Sequence, residues 1–436
     1  MRLGLPIAIG QLGQIVMGFA DTLMVGRYST TALASAAFVN NVFNLVIFLL
    51  IGYSYGLTPI ISSLYGKGEH TQAGGKLKQA LAANALFGLV LMAIMGVLYF
   101  YVDRMGQPAE LLPTIRPYYL VVLSSMAFIM LVNILRQFTD GTTDTATGMW
   151  ALLTGNALNI VGNYLLIYGI GPFPELGLLG AGISTLFARF ATAAILAGNV
   201  VWRKRYRPFR QGFVRASAKW REIAAVNKMS LPISLQMGME AGAFSFSAVM
   251  AGWLGKIDLA AYQVVVTVGT LGFMFYYSFG AGMSIRVGTF TGMNDWPRLR
   301  LATRAGCHIL CVVALLSSLT FIFFTEPLVN IFSTDAAVIG VAVSLVGPLV
   351  LYQFGDAMQI CFANALRGTG NVMSMMWIAF VSYVVVGIPS GFILGFPLGL
   401  GIHGIFLAFA IGLFVAATLF YVNYKKVLSS HLGDRG

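Results

Sequence analysis

The sequence predicts an all-α integral membrane protein with twelve transmembrane helices in two pseudo-symmetric six-helix bundles. Three observations lead to this fold class. The 436 residues are 58% hydrophobic and only 10% charged, and the mean hydropathy is +0.81, which lies outside the range of soluble globular chains. Apolar stretches long enough to cross a bilayer as helices recur along the whole chain. The second half of the chain also repeats short motifs of the first.

Each predicted span is an apolar run of roughly 20 residues or more. We place the spans at residues 4–26, 32–58, 79–102, 117–138, 147–169, 178–202, 230–254, 260–285, 304–325, 338–362, 373–396 and 402–424. Six spans per half is an even number, so both halves enter the membrane in the same sense, as parallel repeats. We therefore predict an N-terminal lobe over 1–202, a basic linker over 203–229 and a C-terminal lobe over 230–436.

The internal repeat is read from short motifs in matching order. Residues 5–7 and 231–233 are both Leu-Pro-Ile, and residues 53–56 and 277–280 differ by only one aromatic exchange. Further along, Gly-Thr and Met-Trp pairs recur at 141–142 and 368–369, and at 149–150 and 376–377. Several matches in sequential order indicate a duplication. Two such lobes are suited to opening a central site to alternate sides of a membrane.

The net charge of +12 is unevenly distributed between alternate loops. If the N-terminus is inside, only Arg27, Arg104, Arg116 and Lys256 lie in outer loops, and Arg189 lies within a span. The other lysines and arginines of the chain, including Arg435, fall on the inner side. This asymmetry follows the positive-inside rule and predicts that both termini are cytoplasmic. The basic excess therefore reflects topology, so no nucleic-acid partner is expected, and the basic linker is expected to touch anionic lipid headgroups.

Three acidic residues lie inside apolar runs: Asp21, Glu240 and Asp356. A carboxylate at membrane depth costs several kcal/mol unless it is paired, protonated or solvated. Such residues therefore indicate an ion or proton pathway.

In the first lobe, the fifth span carries Asn156, Asn159 and Asn163 on one helix face, and Thr185 in the sixth span offers a further oxygen. Together with Asp21 these groups can coordinate a hard cation through their oxygens. The alternative is that the amides join helices by hydrogen bonds. In the second lobe, Gln236 and Glu240 are four residues apart, Tyr352 and Asp356 likewise, and Gln263 lies in the eighth span. Aromatic faces beside carboxylates suit an organic cation or an alkali ion. The alternative there is a protonated acid bonded to a neighbour.

Arg189 either pairs with one of the acids or extends along the lipid to the interface. Asp140 and Asp144, at the end of the fourth span, are expected to be solvated loop acids. The dispersed thiols Cys307, Cys311 and Cys361 predict no disulfide framework. A metal cluster of Cys307, His308 and Cys311 is conceivable from the helix spacing, but small packing residues are the preferred interpretation.

The polar motifs resemble those of the multidrug and toxic-compound extrusion (MATE) transporters, NorM-type branch. The resemblance covers essentially the whole chain, with its twelve spans and its duplication. It is carried by Pro6, Ala20-Asp21-Thr22 and Gly26; by Leu231-Pro232 and Glu240; and by Tyr352, Asp356 and Ala365-Leu366-Arg367-Gly368.

The resemblance implies a V-shaped pair of six-helix bundles in a bacterial inner membrane, which export cationic amphipathic compounds in exchange for Na⁺ or H⁺. It implies a cation or coupling site at Asp21, Asn159, Asn163 and Thr185, and a second at Glu240, Tyr352 and Asp356. Substrate contacts are then expected at Gln263, Glu240 and Asp356. A Na⁺ ion is expected either at Glu240, Tyr352 and Asp356 or at Asp21, Asn159 and Asn163. No cofactor beyond the coupling ion is expected, and the chain is expected to act as a monomer.

Three other functions fit the sequence less well. A lipid-linked oligosaccharide flippase of the same superfamily would need several basic residues in its cavity to meet pyrophosphate, and only Arg189 lies well inside a span. A channel usually shows a ring of related chains. An ATP-driven function or a zinc-dependent hydrolase lacks its motif, because the sequence has no GxxxxGK[ST] and no HExxH. The sequence therefore predicts a secondary transporter and not an enzyme.

Overall fold

The computed structural model describes residues 1–432, and the chain over this range is almost entirely helical. The helices are α1 Gly4–Tyr28, α2 Thr30–Ser54, α3 Leu57–Gly66, α4 His70–Tyr99, α5 Leu112–Gly141, α6 Thr145–Tyr168, α7 Leu178–Trp202, α8 Arg207–Arg215, α9 Trp220–Leu254, α10 Lys256–Gly292, α11 Trp296–Asn330, α12 Ala336–Ser344, α13 Val346–Thr369, α14 Val372–Ala379, α15 Ile388–Gly395 and α16 Gly401–Leu432. A π-helical segment, Phe380–Gly387, joins α14 to α15. Arg435, counted above among the inner basic residues, lies outside this range.

The all-helical membrane fold predicted from the sequence is confirmed, and every predicted span lies on a helix or a helix pair. Within residues 1–432, ten helices are long and apolar enough to cross a membrane, and the pair α12 and α13, bent by 50°, makes an eleventh. The remaining predicted span, 230–254, lies on α9, which carries charged residues in its first turns. Several helices are longer than the predicted spans, because helical hydrogen bonding continues past the apolar segment into polar residues.

The chain divides into two compact units, Ile9–Ser234 and Met1–Ala8 with Leu235–Gly436. In the first unit α7 packs against α5 and α6, and its core includes Tyr53, Phe138 and Tyr119. In the second unit α13 packs against α10, α11 and α16. The polar residues predicted on α6 and α7 therefore lie in one unit, and those on α9, α10 and α13 lie in the other beyond Ser234.

The linker is structured, because α8 docks on α4 in the first unit. Gly74 and Gly212 allow the two backbones to approach so closely that a Cβ at Gly212 would lie 1.7 Å from the Thr71 carbonyl oxygen. Phe209 is buried in the same contact. The residues 207–215 thus form a fixed helix with basic residues along its solvent-facing side.

The prediction that Asp140 and Asp144 are solvated loop acids is wrong, since both side chains are buried. Asp144 accepts a hydrogen bond of 2.8 Å from the hydroxyl of Tyr206 and lies 3.6 Å from Arg203 in an ion pair. Burial raises the pKa of the Tyr206 hydroxyl above its usual value, so this group stays a donor. The loop after α5 is therefore covered by the folded linker, which the local sequence gave no means of anticipating.

The expectation that the cysteines form no disulfide is also wrong. Cys307 of α11 and Cys361 of α13 are joined, with their Cα atoms 5.7 Å apart, and Cys311 is free and exposed. The bond ties two helices that are distant in sequence but adjacent in the second unit. It also removes Cys307 from any metal set with His308 and Cys311, and no group of three or more His, Cys, Asp or Glu able to hold a metal occurs within residues 1–432.

Candidate functional sites

The first candidate site, called here the first-lobe cluster, comprises Asp21, Asn159, Asn163 and Thr185. The amide nitrogen of Asn163 donates to Asp21 Oδ1, and that of Asn159 donates to Thr185 Oγ1 at 3.0 Å. Asn163 Nδ2 also lies 3.5 Å from Asn159 Oδ1. Asn159 and Asn163 are fully buried, and Asp21 and Thr185 are partly buried. The structure thus brings together the four residues that the resemblance selected in this lobe.

The third asparagine of the predicted row behaves differently. Asn156 is buried, but its amide nitrogen has no hydrogen-bond partner within the described part of the chain. The spacing of the three asparagines placed them on one face correctly, but only Asn163 donates to the carboxylate of Asp21, and Asn159 joins the cluster through Asn163 and Thr185. Helical periodicity fixes a direction around the axis, whereas the distance along the axis decides which residue meets Asp21.

The second candidate site, called the second-lobe cluster, is centred on Glu240 of α9 and Asp356 of α13. Gln359 donates from Nε2 to Glu240 Oε1 at 3.1 Å. Asp356 is 1% exposed, and its Oδ2 has no hydrogen-bond partner among residues 1–432. The two carboxyl groups interact electrostatically with each other. An unpartnered carboxyl oxygen beside a second acid is costly to bury, and a bound cation or proton removes that cost.

Aromatic side chains surround these acids. Tyr352 is buried one turn from Asp356 on the same helix, as predicted, and makes edge contacts with Phe244 and Phe409. Phe244 and Phe409 are stacked with their ring centroids 4.6 Å apart. Gln263, in contrast, lies on an exposed part of α10, so it is not part of this buried group.

Two members of the second-lobe cluster were missed by the sequence analysis, Gln359 and Tyr383. Tyr383 lies in the π-helical segment, is 5% exposed, and its hydroxyl interacts with the side-chain amide of Gln359. It interacts electrostatically with both Glu240 and Asp356. A π-helical turn widens the helix and redirects a side chain, and such turns are frequent at functional sites. Apolar periodicity gives no signal for the position of Tyr383, although the sequence shows Gln359 one helical turn beyond Asp356.

Tyr383→Phe is expected to weaken cation binding at the second-lobe cluster without unfolding the protein. The substitution keeps the ring and removes a buried hydroxyl beside Glu240 and Asp356, and hydroxyl oxygens are ligands of hard cations. Loss of a contact with a charged group costs about 1.5–3 kcal/mol, which corresponds to roughly tenfold or more in affinity. The measurement is the concentration of Na⁺ or H⁺ that half-saturates gradient-driven efflux. Tyr421→Phe, on the exposed side of α16, is the matched control and is expected to leave this value unchanged. An unchanged value for Tyr383→Phe would contradict its place in the cluster.

The arrangement in both units suits positively charged ligands. Each cluster combines a buried or partly buried carboxylate with amide and hydroxyl oxygens, which are ligands of hard cations. The second-lobe cluster adds aromatic faces, which attract organic cations. Carboxylates of this kind within transmembrane helices mark ion and substrate pathways. Fold and sites together define a multi-pass membrane transporter.

The family model called MatE matches residues 6–165 and 232–393, that is, once in each half of the chain. The chain belongs to the MatE family, NorM-type, and it is a membrane transporter of this family and not an enzyme. The two matches begin 226 residues apart (232 minus 6), the same offset as the Leu-Pro-Ile repeat.

Two curated relatives and one solved structure extend this result. The chain is 28% identical over 434 residues to "Multidrug resistance protein NorM" of Photobacterium profundum, covering 98% of this chain and 94% of the relative. It is 28% identical over 428 residues to "Multidrug resistance protein MdtK" of Photorhabdus laumondii, covering 97% and 94%. A solved structure described as MATE in the bent conformation superposes with a TM-score of 0.90 at 20% identity, over 99% of this chain and 95% of that one. At this identity the structural likeness shows the fold alone.

Proposed function

We propose that the protein is a secondary antiporter that exports cationic amphipathic organic compounds in exchange for Na⁺ or H⁺ by alternating access. The observation that carries the proposal is the buried Asp356, whose Oδ2 is unpartnered beside Glu240. Aromatic rings line the same group, so an organic cation and a small ion can compete for it. The names of the curated relatives, which are multidrug resistance proteins, agree with this assignment.

Competition for the carboxylates provides the coupling. Two cations held together in a low-dielectric site repel each other strongly, so each carboxylate cluster holds the inorganic or the organic cation but not both. A coupling ion that enters from outside then displaces the exported compound and resets the carrier. Glu240, Tyr352 and Asp356 take the cation in the second lobe. Gln263 is proposed to contact the substrate along its route, since it lies outside the buried group.

The proposal also covers the membrane, the topology and the oligomeric state of the transporter. It is proposed to lie in a bacterial inner membrane as a monomer, with both termini cytoplasmic, because the basic residues concentrate in alternate loops. The exposed arginines of α8 are proposed to contact anionic lipid headgroups. No resident cofactor and no nucleic-acid partner are included, because ion exchange at carboxylates requires neither.

Efflux from proteoliposomes tests the function directly. Liposomes containing the purified protein are loaded with a fluorescent organic cation, and an inward gradient of Na⁺ or of H⁺ is imposed separately. We expect one gradient to accelerate dye efflux, and added external dye to release the same ion in the reverse direction. Protein-free liposomes are the control for leakage. If neither gradient raises efflux above that control, the antiport proposal is wrong.

A further inference from the structure

Arg189 is a charged residue well inside a first-lobe span that the proposed function does not use. It lies on α7, four residues after Thr185, so both side chains share one face of the helix. Its Nη1 donates to the hydroxyl of Ser125 on α5. Its charge interacts with the carboxylate of Asp21 and with Tyr118. The guanidinium is therefore directed into the helix bundle beside the first-lobe cluster.

Arg189 and Asp21 carry opposite charges and interact electrostatically, but they do not form a direct ion pair. Within residues 1–432, no ion pair shorter than 4 Å joins Arg189 to a carboxylate, and Asp21 is instead held by Asn163. A partly buried guanidinium without a counter-charge is costly. Asp21 is the carboxylate with which it interacts, so the two charges balance each other across the cluster.

The net charge of the two clusters consequently differs. In the first lobe, one carboxylate, Asp21, faces one fixed cation, Arg189, and the sum is zero. In the second lobe, Glu240 and Asp356 face Arg367, which interacts electrostatically with Glu240, and the sum is negative by one charge. A monovalent ion entering the second-lobe cluster neutralises it, whereas one entering the first-lobe cluster adds a second cation near Arg189. In a low-dielectric environment like charges at short range repel each other strongly.

We propose that Arg189 is a built-in counter-cation that excludes alkali ions from the first-lobe cluster, although that cluster has the oxygen ligands to hold one. Arg189 is thus a specificity-determining residue for the antiport, and the inference rests on the proposed function. With Arg189 present, the Asp21 carboxylate is left to a proton or to the cationic group of the exported compound. The oxygens of Asn159 and Thr185 remain bonded to neighbouring side chains.

The experiment measures the stoichiometry of ²²Na⁺ bound to the purified full-length protein in detergent. Arg189→Gln removes the charge while it keeps a donor for Ser125, and Arg189→Lys retains the charge as the matched control. We expect Arg189→Gln to bind one more sodium ion per chain than the unsubstituted protein. We expect Arg189→Lys to show no gain. The added ion is expected to disappear in the double variant Asp21→Asn with Arg189→Gln.

Two outcomes would overturn the proposal. One is an Arg189→Gln protein that binds the same number of sodium ions as the unsubstituted protein. The other is an added ion that persists when Asp21 is also replaced. The control for folding is the sodium bound at the second-lobe cluster. A variant that is folded keeps this sodium, and the added substitution Asp356→Asn removes it.

The proposal stays testable if Arg189→Gln does not fold. Asp21→Asn on the chain that retains Arg189 is then expected to leave the number of bound sodium ions as it was, because that carboxylate holds none. A loss of one ion would contradict the proposal. The assay requires no transport, so absence of gradient-driven efflux in proteoliposomes would refute the antiport function separately.

Discussion

Replacement of Asp356 by asparagine is expected to abolish ion-driven efflux. The side chain is almost completely buried, and its free carboxyl oxygen lies beside Glu240 and a group of aromatic rings. Asparagine keeps the shape but carries no charge and cannot exchange a proton. Losing one member of a buried charged contact costs about 2–5 kcal/mol, so affinity for the cation should fall by at least roughly thirtyfold. The measurement is the initial rate of dye efflux in proteoliposomes.

The matched control is Glu326→Gln, which neutralises an exposed acid at the end of α11 in the same unit. It removes the same formal charge and is expected to leave efflux near the unsubstituted rate, since surface charges are screened. Glu240→Gln should behave as Asp356→Asn does, with the hydrogen bond from Gln359 retained. Full efflux in both Asp356→Asn and Glu240→Gln would show that the second-lobe cluster is not the coupling site.

Gly212→Ala is expected to destabilise the protein by detaching α8 from α4. The added Cβ would lie 1.7 Å from the Thr71 carbonyl oxygen. This oxygen belongs to the backbone of α4, so it cannot move aside as the end of a flexible side chain can. Overpacking of this kind costs about 1–3 kcal/mol, more than the gain of about 1 kcal/mol in helix propensity from glycine to alanine. The measurement is the apparent melting temperature in detergent, together with the rate of proteolysis between α7 and α9.

Gly340→Ala provides the comparison, because a Cβ at this helical glycine of α12 meets nothing within 4 Å. The substitution then changes only the helix propensity at this position, which favours alanine over glycine, so the melting temperature should stay level or rise slightly. An equal response of the two variants would mean that the close approach of α8 and α4 does not contribute to stability. Faster proteolysis restricted to Gly212→Ala would locate the effect in the linker.

The helices were predictable because each depends on local composition. A bilayer imposes a minimum apolar length and requires every backbone group to be bonded within its own segment, so an apolar run of sufficient length becomes a helix regardless of its neighbours. The repeat was readable for a similar reason, as the Leu-Pro-Ile motifs and the Gly-Thr pairs occupy corresponding positions in both halves. The carboxylates also stood out, since an acid in an apolar run is rare unless it has a role.

The partners of those acids were only partly predictable. Asn159 and Asn163 share a face by spacing, and the structure places Asn163 on Asp21. Gln359 and Tyr383 escaped notice because helix packing and a π-helical turn brought them to Glu240 and Asp356. The burial of Asp144 depends on a linker that begins almost sixty residues later. Such contacts join segments whose local sequences carry no information about each other.

The sequence by itself determined a membrane protein of two repeated halves, with its apolar helices and three acids out of place, because hydrophobic length and charge cost act on each segment separately. Tertiary structure alone decided the bond between Cys307 and Cys361, the exclusion of Gln263 from the buried group and the electrostatic interaction of Arg189 with Asp21. These features follow from which helix faces meet and at what height along their axes. The spacing of residues in a sequence predicts which face of one helix they share, and only the packing of helices decides which residues of another helix that face contacts.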